Sequence, residues 1–410
     1  MQRHVPAAQG TRPLWLVVLC AGVIVGTCTG LRQVMGLYLT PTTSELGIGR
    51  EPFSSAMAVA NLVWGLAAVL AGVIADRQGA GRVVAAGALS TVAGLYLMFA
   101  ARSGSELMLS GVLLGIGISG TGLNALVGAV GRAAPPTRRT SAIAALGMAG
   151  GIGGFLAFPY THLLMDLVGW KTSLLVLMAT IAAIMPLAWP LAGKPNAAAG
   201  IVDPQTLGGA LREAATHPSY LLLLTGFFVC GFHVAFIATH LPVYVTGCGL
   251  PAMVGAVALA LIGFFNMVGS YVAGLLGGRY RKKYLLSALY FGRGVVIAIF
   301  LWIPPSEASV LAFSAAMGLL WLGTVPLTSG LVGQIFGVRH LATLFGLVLL
   351  AHQIGAFLGA WLGGYIFDLT GSYDEMWLFA IGLGLLAAAI HWPIADRPLA
   401  GRLGMSPARV

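Results

Sequence analysis

Long runs of apolar residues, separated by short polar or Gly- and Pro-containing segments, dominate the chain. A helix that crosses a membrane needs about 20 mostly apolar residues, and twelve runs reach that length. The runs are continuous and lack the period-two alternation of a membrane β-barrel. The pattern therefore predicts an all-α integral membrane protein with twelve transmembrane helices, called spans 1 to 12, at residues 14–39, 52–75, 83–102, 106–130, 140–166, 170–191, 218–246, 251–278, 284–304, 308–335, 342–367 and 374–395.

One longer polar stretch divides the spans into two sets of six. It covers residues 193–217 and predicts a linker between two six-helix bundles, residues 1–192 and 218–410. Within span 7, Pro242 follows His240, and we expect the helix to break there because proline lacks a backbone N–H.

The two halves repeat each other at an offset of 202 residues. Gly72 and Arg77 after span 2 match Gly274 and Arg279 after span 8, and the segment 166–169 matches 368–371. We therefore expect two pseudo-symmetric six-helix bundles. Such duplications are typical of secondary transporters, whose substrate site lies near the membrane midplane between the repeats.

Composition and charge narrow the class of protein further. Hydrophobic residues make up 58% and charged residues only 8% of the chain, against about 25% charged residues in soluble proteins. Most of the 22 Lys and Arg residues behind the net charge of +10 lie on the side of the chain termini. The positive-inside rule then predicts cytoplasmic termini in an inner membrane, and the basic excess gives no indication of nucleic-acid binding. We expect a monomer whose partners are the lipid bilayer and a small-molecule substrate.

The loop after span 2 carries a family motif. Gly72, Asp76, Arg77, Gly79 and Arg82 fit the pattern G-x-x-x-D-R-x-G-x-x-R, and the chain in this respect resembles the major facilitator superfamily. The resemblance implies the major facilitator fold, transport by alternating access, and a gating role for Asp76, Arg77, Gly79, Arg82 and, in the second copy, Arg279. That second copy has Gly278 where the acid would stand.

Two further stretches are similar to bacterial members of the monocarboxylate-transporter-like branch of that superfamily. They are residues 47–54, which lead into Asn61 and Trp64, and residues 265–270. Monocarboxylate carriers place an Asp and, four residues later, an Arg in span 8, whereas this chain has Asn266 and Ser270 there. The proton symport of those carriers cannot simply be transferred to this protein.

Charged residues inside spans are costly and are by default candidates for function. No carboxylate falls at the centre of a span, whereas Arg32 lies in span 1 and Arg293 in span 9. We expect Arg293 to have a structural role between helices. Arg32 is the candidate for binding an anion, since guanidinium holds a carboxylate through two parallel hydrogen bonds; the alternative is that it extends to the outer interface.

Histidine is the natural proton carrier in a chain with no central carboxylate, because its charge changes near neutral pH. His352 and Gln353 replace Gly150 and Gly151 at the repeat offset, which favours His352, with His233 as the second candidate. The complete set of expected substrate-binding residues is Arg32, Gln33, Asn61, Asn124, Tyr160, His233, Tyr244, Asn266, Thr324, His352 and Gln353.

Two functions remain open on this basis. The first is proton-coupled transport of a small organic anion, in particular a carboxylate. The second is export of a larger and mainly apolar drug or metabolite by the same fold. A basic and polar central cavity favours the first and an apolar, aromatic cavity the second. The sequence has no nucleophile–base motif, metal-ligand spacing or nucleotide loop, so we expect neither an enzyme nor a bound cofactor.

Overall fold

The computed structural model describes residues 13–135, 139–191, 207–337 and 341–399. Helices fill almost all of these ranges, and they contain no β-strand. The α-helices are α1 (Leu14–Val34), α2 (Leu39–Leu46), α3 (Glu51–Gln78), α4 (Ala80–Ala100), α5 (Gly104–Thr121), α6 (Leu123–Ala133), α7 (Arg139–Ile184), α8 (Leu207–Thr216), α9 (Pro218–Gly247), α10 (Ala252–Arg279), α11 (Lys282–Trp302), α12 (Glu307–Leu319), α13 (Thr324–Phe336), α14 (Leu341–Thr370) and α15 (Asp374–His391).

The helices account for all twelve predicted spans. Within the described ranges, ten helical stretches are long and apolar enough to cross a membrane. One of them, Ala145–Leu191, covers spans 5 and 6, which meet at Gly169 with its positive φ of 79°. Span 2 corresponds to α3, which has no charged residue between Glu51 and Asp76. The prediction of a twelve-helix, all-α membrane protein is confirmed.

Two local expectations need correction, on the continuity of spans 4 and 10 and on a break at Pro242. Spans 4 and 10 are each broken in two, between α5 and α6 and between α12 and α13. The polar linker contains a helix, α8, whereas residues 192–206 lie outside the described part. The expected break at Pro242 does not occur, because α9 continues to Gly247. The carbonyl freed by Pro242 belongs to Ala238, and it packs directly on Gly36, where any larger residue would overlap it.

Close helix packing repeats in the two halves. A Cβ on Gly153 would overlap the carbonyl oxygen of Gly26, where α7 crosses α1. A Cβ on Gly355, the residue 202 positions later, would overlap the carbonyl oxygen of Phe228, where α14 crosses α9. Small residues let membrane helices approach to backbone contact, so the duplicated sequence produces a duplicated packing contact.

Replacing Gly153 with Ala should destabilise the protein by about 1–3 kcal/mol, because the added methyl overpacks a contact against backbone that cannot move aside. Gly147→Ala is the matched control on the same helix, since nothing lies within 4 Å of a Cβ at Gly147. Thermal unfolding of the two purified variants measures the difference. Equal stability of both variants would contradict the packing contact described here.

The residues after α15 form a strap across the end of the bundle that holds the chain termini, which we call the terminus end; the opposite end is the far end. The Asp396 carboxylate accepts hydrogen bonds from Nε and Nη2 of Arg281, at 3.0 and 2.6 Å. Gln334 donates to the carbonyl of Asp396 at 2.6 Å, and Ala395 N–H donates to Ser219 at 2.9 Å. Asp396 thus brings a carboxylate to the loop in which Gly278 replaces the acid of the family motif. The Arg281 guanidinium holds the pKa of the Asp396 carboxyl below its ordinary value.

Asp396→Asn should lower the thermal midpoint at neutral pH by a few degrees, because the amide loses the charged contact with Arg281. A carboxyl whose pKa is lowered by folding stabilises the native state above its unfolded pKa of about 3.9. That contribution disappears as the pH falls through the lower native value. Thermal scans of wild type and variant should therefore differ at pH 7, begin to approach each other below about pH 4 and converge only below the native pKa of Asp396; identical midpoints at pH 7 would contradict the role of the strap.

Candidate functional site

A central cavity lies between the two halves. Residues of α1, α3, α4 and α5 line it from the first half, and residues of α9 and α14 from the second. Its volume is about 60 Å³, which is room for several water molecules, since one needs roughly 10–15 Å³. Its polar lining residues are Arg32, Gln33, Asn61, Thr91, Thr239, His352 and Gln353.

Arg32 is the charged residue of this cavity. It occupies the last turn of α1, just before the 3-10 turn Met35–Tyr38, where the helix dipole favours a cation. Its guanidinium lies over the ring of Trp64, 4.9 Å from the ring centre. It makes no hydrogen bond or ion pair with any residue in the described part of the chain. The cavity therefore contains a cation whose hydrogen-bond donors remain available to a ligand.

Two side-chain amides lie beside Arg32. The Nδ2 of Asn61 donates to the carbonyl of Met57 at 3.0 Å, one turn earlier in α3. Gln33 extends from α1 toward Gly154 of α7 and Gly263 of α10. A Cβ on Gly154 would come within 2.8 Å of the Gln33 amide nitrogen, so the missing side chain makes room for this amide.

His352 and Gln353 bring the second half to the same cavity. Nδ1 of His352 lies 2.9 Å from Oε1 of Gln353, and the imidazole packs on Phe227 with ring centres 5.1 Å apart. Gln353 lies against Gly65 of α3, where a Cβ would come within 2.8 Å of it. Its Nε2 is buried and has no hydrogen-bond partner among the described residues. The pair that breaks the repeat symmetry thus lies at the interface between the halves.

The structure places three other expected residues away from the cavity. Tyr160 is 44% exposed in a separate, apolar groove formed by α1 and α7. His233 is fully buried, with Nε2 2.8 Å from the carbonyl of Ala380 on α15. Tyr244 packs in an aromatic cluster with Phe300 and Trp377. His233 is therefore not positioned as a carrier at the cavity surface, because its ring nitrogen is directed toward α15.

Two more expected residues, Asn266 and Thr324, lie beside the break in span 10 and do not line the cavity. Oδ1 of Asn266 accepts a hydrogen bond from Leu322 N–H at 2.9 Å, and Oγ1 of Thr324 lies 3.3 Å from Sγ of Cys230. Arg293 is buried beside them and donates to the carbonyls of Leu320 and Trp321. Asn266 and Arg293 satisfy backbone atoms that the interrupted helix leaves free, and Arg293 makes a structural contact of the kind expected.

The predicted gating residues lie at the terminus end. Gly79 joins α3 to α4 with a φ of 94°, a conformation that favours glycine. Arg82 and Arg279 are exposed. The side chains of Asp76, Arg77 and Asn124 lie outside the described part of the structure.

Thr91 and Thr239 also line the cavity, although neither was expected there. Both are hydroxyl residues inside apolar spans, which was the available signal. Thr91 donates to the carbonyl of Gly87 at 3.0 Å, a bond that threonine commonly makes inside a helix, so its type alone does not indicate a ligand.

Known proteins of similar sequence and fold are transporters. The family model described as Major Facilitator Superfamily matches residues 14–325 and 268–408. An uncharacterized MFS-type transporter of Bacillus subtilis, YcxA, is 25% identical over 385 residues, covering 88% of this chain and 90% of its own. Monocarboxylate transporter 13 of Bos taurus is 25% identical over 396 residues, covering 92% and 87%.

A solved structure supports the same fold. A bacterial homolog of the human lysosomal transporter Spinster, in an inward-facing and occupied conformation, superimposes with a TM-score of 0.71 at 16% identity. The match covers 93% of this chain and 97% of that one. With the family model matching nearly the whole chain, the resemblance read from the loop motif is confirmed, and the chain belongs to the Major Facilitator Superfamily.

Proposed function

We propose that the protein is a secondary active transporter that moves a small organic anion, in particular a carboxylate, across the inner membrane by alternating access coupled to protons. The observation that carries this proposal is Arg32. It is a cation in the central cavity with no acidic partner among the described residues. A buried charge without a partner is costly, and a bound anion would supply that partner.

The chemistry around Arg32 fits one carboxylate group. Guanidinium binds carboxylate through two parallel hydrogen bonds, and the amides of Gln33, Asn61 and Gln353 offer further donors at the same cavity. Relatives named monocarboxylate transporters, such as that of Bos taurus, support the same class of substrate.

The cavity volume weighs against the second function considered, export of a drug-sized compound. Sites for such ligands have volumes of about 300–1,000 Å³, whereas this cavity holds about 60 Å³. The cation is a second argument, because a mainly apolar ligand would leave the half-buried Arg32 in the cavity without an anionic partner.

The direction of access follows from the charges at the ends of the spans. Most Lys and Arg residues belong to the terminus end, which the positive-inside rule assigns to the cytoplasm. The two halves contact each other through α3 and α14 up to the far end, where Arg50 and Glu51 bond to Asp368. We propose that this state is closed to the outside, and that Asp76, Arg77, Gly79, Arg82 and Arg279 gate the cytoplasmic end.

Arg32→Lys should weaken binding about tenfold, because an ammonium cannot make the paired contact of a guanidinium. Arg32→Gln should abolish measurable binding. Binding is measured as the thermal stabilisation of purified protein by acetate, lactate and pyruvate, with lactamide as the uncharged analogue. Tyr160→Phe, in the separate groove, is the matched control and should bind as wild type does. Stabilisation of Arg32→Gln by lactate equal to that of wild type would contradict the proposal.

His352→Gln should remove proton coupling while substrate exchange continues. Glutamine can still hydrogen-bond to Gln353, but its amide cannot take up a proton as an imidazole nitrogen can. Proteoliposome uptake driven by a pH gradient measures coupling, and counterflow without a gradient measures exchange.

His233→Gln is the comparison for that experiment, since His233 faces α15 rather than the cavity. It should retain both activities. Gradient-driven uptake that survives in both variants would mean that neither histidine carries the proton.

A further inference from the structure

The helix pair α3 and α14 joins the two halves from the far end to the central cavity. The two helices run in opposite directions, so the N-terminus of α3 meets the C-terminus of α14 at the far end. The first N–H groups of a helix have no partner within it. Arg50 precedes α3 and its own side chain forms no cap, which leaves those donors to another group.

Asp368, in the last turn of α14, supplies that group. Its Oδ1 accepts a hydrogen bond from Arg50 N–H at 2.9 Å, and its Oδ2 accepts one from Glu51 N–H at 2.7 Å. A Cβ on Gly49 would overlap this carboxylate, so glycine is required for the approach. A helix of the first half is thus capped by a carboxylate of the second half, where the helix dipole favours negative charge.

The side chains of Arg50 and Glu51 are also held by the second half. The Arg50 guanidinium lies over the Phe367 ring, 3.5 Å from its centre, and its Nη1 donates to Tyr373 Oη at 3.0 Å. Trp361 Nε1 donates to Glu51 Oε1 at 3.1 Å. We call Arg50, Glu51, Trp361, Asp368 and Tyr373 the latch. Each of these bonds crosses from one half to the other.

The repeat offers an internal comparison. Asp166 is the equivalent of Asp368 at the offset of 202, and both acids are exposed. The Asp166 carboxylate, however, lies 2.9 Å from His162 Nδ1, one turn earlier in its own helix. The residues equivalent to Arg50 and Glu51 are Ala252 and Met253, at the start of α10. The duplicated sequence therefore retains the acid in both halves, and only Asp368 caps a helix of the other half.

We propose that the latch holds the far end closed and breaks each time the central cavity opens to that side. This inference rests on the proposed alternating access, in which the halves move apart at one end while they meet at the other. Opening removes the cap of α3 together with the contacts of Arg50 and Glu51, so the latch stabilises the closed state alone. A group that contacts only one of two states shifts their populations by its full contribution.

The test compares Asp368→Asn with Asp166→Asn. The asparagine oxygen can accept a hydrogen bond from one of the two N–H groups, but its NH₂ group would face the other N–H, donor against donor. The negative charge at the helix N-terminus is also lost. The reporter is Thr239→Cys, a position that lines the central cavity, in a background with the exposed Cys248 replaced by Ser. Labelling uses a membrane-impermeant maleimide added from the far side of proteoliposomes with oriented protein.

Asp368→Asn should raise the labelling rate about threefold, as loss of a favourable charge at a solvent-exposed helix N-terminus implies. Asp166→Asn should leave the rate unchanged. Arg50→Gln keeps the backbone cap but loses the guanidinium contacts, so it should raise the labelling rate by less. If Asp368→Asn fails to fold, the labelling rate of Arg50→Gln tests the proposal in its place. Equal rates in wild type and either latch variant would overturn the proposal. Labelling needs no substrate, so a failure of carboxylate binding would leave this result interpretable.

Discussion

Close packing of α3 against α14 is the constraint on which the central part of the molecule depends. It places Gln353 against Gly65 at the cavity and Gly364 against Ser54 near the far end. It also aligns the end of one helix with the start of the other, so that Asp368 can reach the backbone of Arg50 and Glu51. A larger residue at either glycine would separate the two halves, because packed helices cannot deform continuously to absorb it. The cavity and the closure of the far end therefore both depend on the interface between α3 and α14.

The two intramembrane arginines illustrate how a buried charge acquires a role. Arg293 donates to the carbonyls of Leu320 and Trp321, which the break in span 10 leaves free. Arg32 lies over the face of Trp64 and forms no hydrogen bond within the described residues. The same side chain is structural where backbone oxygens surround it and available to a ligand where they do not. The difference comes from the neighbouring helices, because both arginines lie in apolar runs of similar length.

Differences between the repeats coincide with the functional features. The packing glycines Gly153 and Gly355 are equivalent and behave alike. In contrast, His352 and Gln353 replace a pair of glycines, and they line the cavity. The acid missing at Gly278 is replaced by Asp396, which reaches the neighbouring Arg281 from the chain after α15. Packing follows the duplicated pattern, whereas the site and the charged contacts at both ends do not.

The sequence by itself determined the spans, their number, the duplication and the superfamily. This was possible because a bilayer requires about 20 apolar residues per crossing and the loop motif has fixed spacing. It also indicated Arg32, Gln33, Asn61, His352 and Gln353, which line the central cavity, since polar groups are rare in spans. Only the tertiary structure decided which neighbouring helix each of the other expected side chains faces. A helix that is apolar on all sides has no polar face to show its orientation, so His233, Asn266 and Thr324 could be assigned to neighbouring helices only by packing. The continuity of α9 through Pro242 was also visible only in the tertiary structure, where the freed carbonyl of Ala238 packs on Gly36, 206 residues before the proline.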